Sequence, residues 1–424
     1  MIWTLTGLLC LLLALGLPIA FSMGLAAAGA LLLAGQVPII VLAQKFYSSL
    51  DSFALLAIPM FILAGSVMNV GGITQRLIAL SMAMVGHVRG GLGQVVIFTS
   101  LLFATISGSA AASAAAVGGM LIPAMQRDGY RPQDAAVITA GAAILGPIIP
   151  PSILMVIYSS MTGLSVGTLF MSGVVPGLVI TLVLMATVWR MARAMDVRVY
   201  ARSSYAARGT ALGRAIPALV MPALIFGGIV SGVFTATEAG AIAVGYGILY
   251  AFGTRRCGPR LMLANIAQAA VASSSIMIIL GGAALFGWII AREGVPAALA
   301  AWLTAMTSSP ALVMALIVAA LLVVGIFIEP IPALIMLVPV LQPIAATYGF
   351  DPYHFAMVVT YGLLLGSLSP PVAVLVLITC KIARIDYTLT TRPLIPVFTA
   401  LVLVLVLIAY APAVTLAVPR LFAL

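Results

Sequence analysis

Residues 129–152 read GYRPQDAAVITAGAAILGPIIPPS, and residues 349–372 read GFDPYHFAMVVTYGLLLGSLSPPV. At a constant offset of 220, without a gap, they share Gly129/Gly349, Pro132/Pro352, Ala136/Ala356, Leu145/Leu365, Gly146/Gly366, Pro150/Pro370 and Pro151/Pro371. Each begins as an apolar helix and meets a glycine followed four and five residues later by a proline pair. Two adjacent prolines remove two backbone donors, and each disfavours helical geometry in the residue before it. Both helices are therefore expected to break and to leave carbonyls that need a partner. Inside a bilayer that partner is another helix, water or a cation. Paired breaks at matching places in two halves of an apolar chain point to a transporter's binding site. Two ordinary proline kinks would account for the prolines, but not for the recurrence of the whole pattern.

The surrounding chain is apolar enough to support that reading. Of its 424 residues, 64% are hydrophobic and 7% charged, against about 25% charged in a soluble domain. Mean hydropathy is +1.28. A polytopic membrane protein is expected, with no room for separate soluble domains. A net charge of +10 is the balance a nucleic-acid binder would carry. The arginines instead fall at segment ends, as topology signals do. Cys10, Cys257 and Cys380 lie far apart, without metal-ligand spacing, and read as packing residues. The opening MIWTLTGLLCLLLALGLPIAF lacks a positive leader and reads as a first membrane helix.

Taken in order, apolar runs cover 2–17, 19–35 and 50–75, with Asp51 or Ser52 as a possible cap for the third. GHVRGGLG reads as a surface loop. Residues 95–125 carry Ser107-Gly108-Ser109-Ala110-Ala111-Ala112-Ser113 at their middle, with too short an apolar stretch before it for an easy crossing. A re-entrant hairpin with its tip at 107–109 fits, although a small-residue packing face is the plain alternative. Serine hydroxyls and bare carbonyls at such a tip are hard oxygen ligands for a small cation. The first broken helix, 133–160, follows, and 172–189 cross again.

Residues 190–214 carry Arg190, Arg193, Arg198, Arg202, Arg208 and Arg214, and read as a cytoplasmic connector anchored on anionic lipid. Beyond it come apolar runs 215–232, 236–253 and 262–290, a second hairpin over 311–347, a second broken helix over 353–379 and a last span near 395–412. Glu238 falls at membrane depth or its edge, as a helix cap, an ion-pair member or a ligand contact. The expected fold is all-α: two inverted repeats, 1–189 and 215–424, each of about five crossings with one hairpin and one broken helix. An odd number of crossings inverts the second repeat. With the N-terminus outside, sixteen of the 19 basic residues then face the cytoplasm.

Several segments together resemble the large membrane subunit of tripartite ATP-independent periplasmic (TRAP) transporters. They are LAIPMFILAGSVMNVGGITQRL, GHVRGGLGQ, FATISGSAAASAAAVGGMLIPAM, the first quoted stretch, GIVSGVFTATEAGAIAVGYG and FIEPIPALIMLVPVLQPI. The likeness runs over essentially the whole chain. It implies a multi-pass protein of the bacterial inner membrane that moves an organic acid inward on the sodium gradient. It also implies an elevator motion and two partners: a small four-helix membrane subunit and a periplasmic substrate-binding protein. With no small-subunit sequence ahead of residue 1, that subunit is expected as a separate chain. Sodium sites are implied between each hairpin tip and the facing break. They fall on Ser107, Gly108 and Ser109 with Gly146, Ile149 and Pro151, and on Ile328 and Glu329 with Gly366, Ser369 and Val372. Ser113, Pro147, Pro150, Ser367 and Pro370, with Thr237 and Glu238, are the expected substrate contacts.

Other classes fit less well. A stand-alone sodium–carboxylate symporter of the same superfamily would need no binding protein. A sodium–proton antiporter would want buried carboxylates along a path, and only Glu238 and Glu329 offer themselves. An enzyme would need a catalytic set. His87 and His354 lie 267 residues apart, and no paired-His spacing, nucleophile elbow or phosphate loop is present. The substrate is not legible: C4-dicarboxylates, sialic acid, other sugar acids and keto acids all suit the pattern.

Overall fold

A computed structural model of the chain describes residues 1–35 and 37–422. Its regular elements, among the described residues, are all helical. The first half contains α1 (Ile2–Ala14), α2 (Ile19–Ala34), α3 (Ile40–Leu50), α4 (Ala57–Val70), α5 (Ile73–Val85), α6 (Gly91–Ser107), α7 (Ala110–Arg127), α8 (Pro132–Ala143), α9 (Ile153–Thr162) and α10 (Val166–Met191). The second contains α11 (Tyr205–Val230), α12 (Ala236–Gly253), α13 (Pro259–Arg292), α14 (Val295–Met306), α15 (Pro310–Phe327), α16 (Pro330–Thr347), α17 (Pro352–Gly366), α18 (Val374–Ala383), α19 (Thr391–Tyr410) and α20 (Pro412–Leu421). Among the described residues, seven helical segments are long and apolar enough to cross a bilayer.

Both expected interruptions are present. The chain leaves helical geometry between α8 and α9, and again between α17 and α18. The repeat is close to exact in length. The starts of α6, α7, α8 and α9 recur 219, 220, 220 and 221 residues later as α15, α16, α17 and α18. Gly108 ends α6 with φ of +59°, which a residue with a side chain adopts only at a cost. Ile328, at the matching place, is extended. Prolines start α8, α15, α16 and α17, where the missing N–H has no helical partner to lose.

The structure moves some expected boundaries. Helix α6 starts at Gly91, inside the GHVRGGLG loop. The basic connector is unwound only over 195–204, because α10 and a 3₁₀ turn cover its start and α11 begins at Tyr205, so Arg208 and Arg214 are helical. Asp51 ends α3, and Ser52 makes no side-chain capping bond. Helices α3, α5, α14 and α20 were not separately expected; each is short, between ten and 13 residues. Cys257 and Cys380 are buried, whereas Cys10 is exposed.

Packing sorts the helices into two groups. In one, α6 packs on α7 and α8, α15 on α17, and α16 on α17. The halves interlock there: α18 lies against α7 and α8, and α9 against α16. Helices α10, α19 and α20 complete this group. In the other, α13 lies against α2, α3 and α4, α12 against α4, and α11 against α5 and α12. The groups meet where α4 and α5 touch α6 and where α13 and α14 touch α16. Large side chains such as Phe61, Phe170, Phe355 and Tyr361 are buried in a core shared by both halves.

Candidate functional site

The two tips and two breaks meet around one cavity of about 630 Å³. Its lining repeats the sequence offset: Ser109 with Glu329, Ala110 with Pro330, Pro147 with Ser367, and Leu154 with Val374. Helices α4 and α13 close the far side through Gly65, Ser66, Asn69, Ala272 and Ile276. Of the lining residues only Glu329 is ionisable, and it is exposed at the second tip.

Four helices begin at this cavity. Ala110, Ile153, Pro330 and Val374 are the first residues of α7, α9, α16 and α18, and all four line it. Each such terminus carries unpaired N–H groups and the positive end of the helix dipole. Their free donors differ. Ser109 accepts from Ala112 N at 3.4 Å and Ser152 from Met155 N at 3.3 Å, so serines cap α7 and α9. In α16, Pro330 and Pro332 have no N–H to offer. Helix α18 has no side-chain cap, and no acceptor among the described residues takes the N–H of Val374, Leu375 or Val376. Ala373, which precedes it, has φ of +43° and turns the chain into that helix.

The opposite helix ends supply oxygen. Between α8 and α9, Ser152 donates to the carbonyl of Pro147. Among the described residues no donor reaches the main-chain carbonyls of Ser107, Gly108, Gly146, Ile149, Pro151, Ile328 or Val372. The carbonyls of Ser109, Glu329 and Gly366 do accept, from Ser113, Ala333 and Ser369. Tip and break are in contact in the first half. A Cβ on Gly108 would sit 2.9 Å from the Pro151 carbonyl oxygen, and one on Gly146 would sit 2.7 Å from that of Ser109. Ser107 Oγ and Ser113 Oγ lie 3.1 Å apart behind the tip, both buried. In the second half Gly325 and Gly366 let α15 and α17 touch backbone to backbone. That break is the more open: Pro370 and Pro371 are exposed, whereas Pro150 and Pro151 are buried.

Of the residues singled out from sequence, Ser107, Gly108, Ser109, Pro147, Glu329 and Ser367 line the cavity. Gly146, Ile149, Pro150, Pro151, Ile328, Gly366, Ser369, Pro370 and Val372 belong to the tips and breaks behind it, as Ser113 belongs to α7. The Ile149 side chain points away, against Gly177 of α10. Thr237 and Glu238 lie outside this cavity. Thr237 Oγ1 donates to the Phe53 carbonyl at 2.7 Å. The Glu238 carboxylate accepts from Thr235 N at 2.8 Å while Thr235 Oγ1 accepts from Glu238 N, a capping box at the start of α12. The signal was in the sequence, since Thr-x-x-Glu ahead of an apolar run is that motif. Sequence reasoning missed the α4 and α13 wall, where Ser66 donates to Asn265 Oδ1 at 2.8 Å and Asn69 accepts from Thr74 at 2.6 Å. No local motif marks those residues.

Residues 6–414 match the family described as "Tripartite ATP-independent periplasmic transporter, DctM component". The chain is 35% identical to the sialic acid TRAP transporter large permease protein SiaM of Vibrio cholerae, over 100% of this chain and 99% of that one. It is also 35% identical to the C4-dicarboxylate TRAP transporter large permease protein DctM of Rhodobacter capsulatus, over 98% of each. Among solved structures, the YdaH transporter of Alcanivorax borkumensis matches with a TM-score of 0.58 at 16% identity, covering 87% of this chain and 86% of that one. At that identity the likeness speaks for the fold.

Proposed function

The chain belongs to the DctM component family of TRAP transporters, and from that premise we propose that it imports an organic acid by coupling its carboxylate to sodium in the cavity described above. The chain is a large permease subunit and a multi-pass membrane protein, not an enzyme. The observation that carries the proposal is the convergence of four helix N-termini on one cavity without a basic side chain. Such termini favour carboxylates. The uncapped first turn of α18 is the best donor set, so the substrate carboxylate is assigned to the Val374 and Leu375 N–H groups.

Sodium is assigned to the bare carbonyls behind the wall, with Ser107 and Gly108 facing Gly146, Ile149 and Pro151 in the first site. Ile328 and Val372, with the Glu329 carboxylate, supply the second. Helix C-termini and unwound carbonyls carry the partial negative charge a small hard cation needs. Order of binding follows from charge. A carboxylate entering beside Glu329, with no Lys or Arg in the lining, meets repulsion until cations have loaded. Sodium therefore binds first and the acid second.

The group holding both tips and both breaks is assigned as the moving body, sliding as an elevator against the α2, α4, α12 and α13 group. The two repeats are read as inverted, which supplies the exchange of outward and inward states. Sialic acid and C4-dicarboxylates, named for the two relatives, are both carboxylates and set the substrate class expected here. A bacterial inner-membrane location, a small membrane subunit and a periplasmic binding protein are assigned from the same family.

The test is uptake of radiolabelled organic acids into proteoliposomes containing the chain and its small subunit. With the cognate binding protein present, an inward sodium gradient is expected to drive accumulation. Uptake that persists undiminished without sodium defeats the coupling. Equal uptake without the binding protein favours the stand-alone symporter.

A further inference from the structure

Away from the cavity, a second depression of about 770 Å³ lies between α5, α11 and the turn joining α12 to α13. Arg76, Arg214 and Arg256 line it, one from each of these elements, and Ala79, Ala207 and Ala211 leave it open. None of the three arginines pairs with a carboxylate among the described residues. The ion pairs among the described residues are Met1 with Glu293 and Arg131 with Asp134.

The groove is built rather than incidental. Gly72 has φ of +83°, and a Cβ there would sit 2.0 Å from Arg256 Nη1, so the guanidinium occupies the space a side chain would take. Arg256 Nη1 donates to Gln75 Oε1 at 3.0 Å, which fixes its direction. The Arg76 guanidinium lies over the Tyr250 ring, 5.1 Å from its centroid. Three like charges around one depression repel. An anion with several oxygens relieves that repulsion.

Guanidinium forks match tetrahedral phosphate oxygens. Leu212 and Ile216 are exposed on the face of α11 turned away from the groove, two residues either side of Arg214. The arginines also lie on the side of the chain that the basic connector marks as cytoplasmic, where anionic lipids attract clustered Arg. We propose that this groove binds a phosphate group, carried by the headgroup of an anionic phospholipid. The site is independent of the transport cavity.

The experiment is native mass spectrometry of the full chain purified in detergent, titrated with phosphatidylglycerol or with phosphatidylcholine. A parallel arm measures thermal shift with inorganic phosphate. One phosphatidylglycerol is expected to be retained at a detergent load that strips phosphatidylcholine. Arg76→Gln, Arg214→Gln and Arg256→Gln are each expected to weaken retention about fivefold. Arg202→Gln, outside the groove, is expected to leave it unchanged. A thermal shift with inorganic phosphate, lost in the same variants and without preference for phosphatidylglycerol, keeps the phosphate site but makes its ligand soluble. Equal retention of both lipids with no phosphate shift overturns the proposal. So does unchanged retention in the triple variant, or an equal loss in Arg202→Gln, which would mean bulk charge alone. Arg214 and Arg256 are exposed and Arg76 is half-buried over Tyr250, so melting temperatures without lipid report whether the variants fold.

Discussion

Ser107 and Ser113 are the smallest unit on which the sodium assignment can be tested. Their hydroxyls face each other at 3.1 Å behind the first tip, and the Ser107 carbonyl has no donor among the described residues. Removing the hydroxyl in Ser107→Ala takes away the partner that orients the tip. The sodium concentration for half-maximal uptake is expected to rise about tenfold, the worth of one hydrogen bond near a charge. Glu238→Gln is the contrast, because that carboxylate closes a capping box outside the cavity. It is expected to lower the melting temperature and to leave sodium dependence unchanged. Sodium titrations of uptake for both variants decide the matter. A shift in Glu238→Gln and none in Ser107→Ala would reverse the assignment. The serines were readable because small polar residues stand out in an apolar chain. The cap at Glu238 was readable too, in its Thr-x-x-Glu spacing, but its distance from the cavity was not, because that depends on how α12 packs.

At the scale of elements, the second hairpin depends on a backbone crossing. A Cβ on Gly366 would come within 2.5 Å of Gly325 Cα, so α15 and α17 meet with no side chain between them. Gly366→Ala is expected to push the helices apart and to cost about 1–3 kcal/mol, as overpacking does. Thermal unfolding in detergent measures it, and uptake should fall with it. Gly119→Ala, on α7 with nothing within 4 Å, is expected to be neutral or mildly stabilising. If the two behave alike, the crossing at Gly366 is not tight. Both breaks were readable from the Gly and Pro-Pro pattern. Which N–H groups remain free at each break was not, since that depends on Ser109 and Ser152 capping their helices while Ala373 cannot cap α18.

For the whole molecule the question is whether the two packing groups slide. Gly287 of α13 faces Pro339 of α16 across their boundary, and a Cβ on Gly287 would lie 3.9 Å from the Pro339 Cβ. That separation suits a disulfide. Gly287→Cys with Pro339→Cys, in a background without the native cysteines, is expected to cross-link under oxidation and to stop uptake, with recovery on reduction. Uptake by the fully cross-linked protein would exclude a sliding motion at this boundary. Neither residue lines the cavity, so binding itself should survive the cross-link. The grouping that motivates the test was not legible in sequence, because α9 packs on α16 and α18 on α7 and α8. These contacts join segments more than 160 residues apart.

By itself the sequence determined a membrane-embedded helical chain, its internal repeat, the two hairpin tips and the two interruptions. Composition, proline and glycine act on neighbours along the backbone, so their consequences are local and periodic. Only the tertiary structure decided that four helices start at one cavity, that α4 and α13 wall it, and that Thr237 and Glu238 stand outside it. It also decided that Arg76, Arg214 and Arg256 gather around one groove. Those facts rest on helices from distant parts of the chain packing together, and the sum of many weak contacts that selects such packing has no signature at any single position.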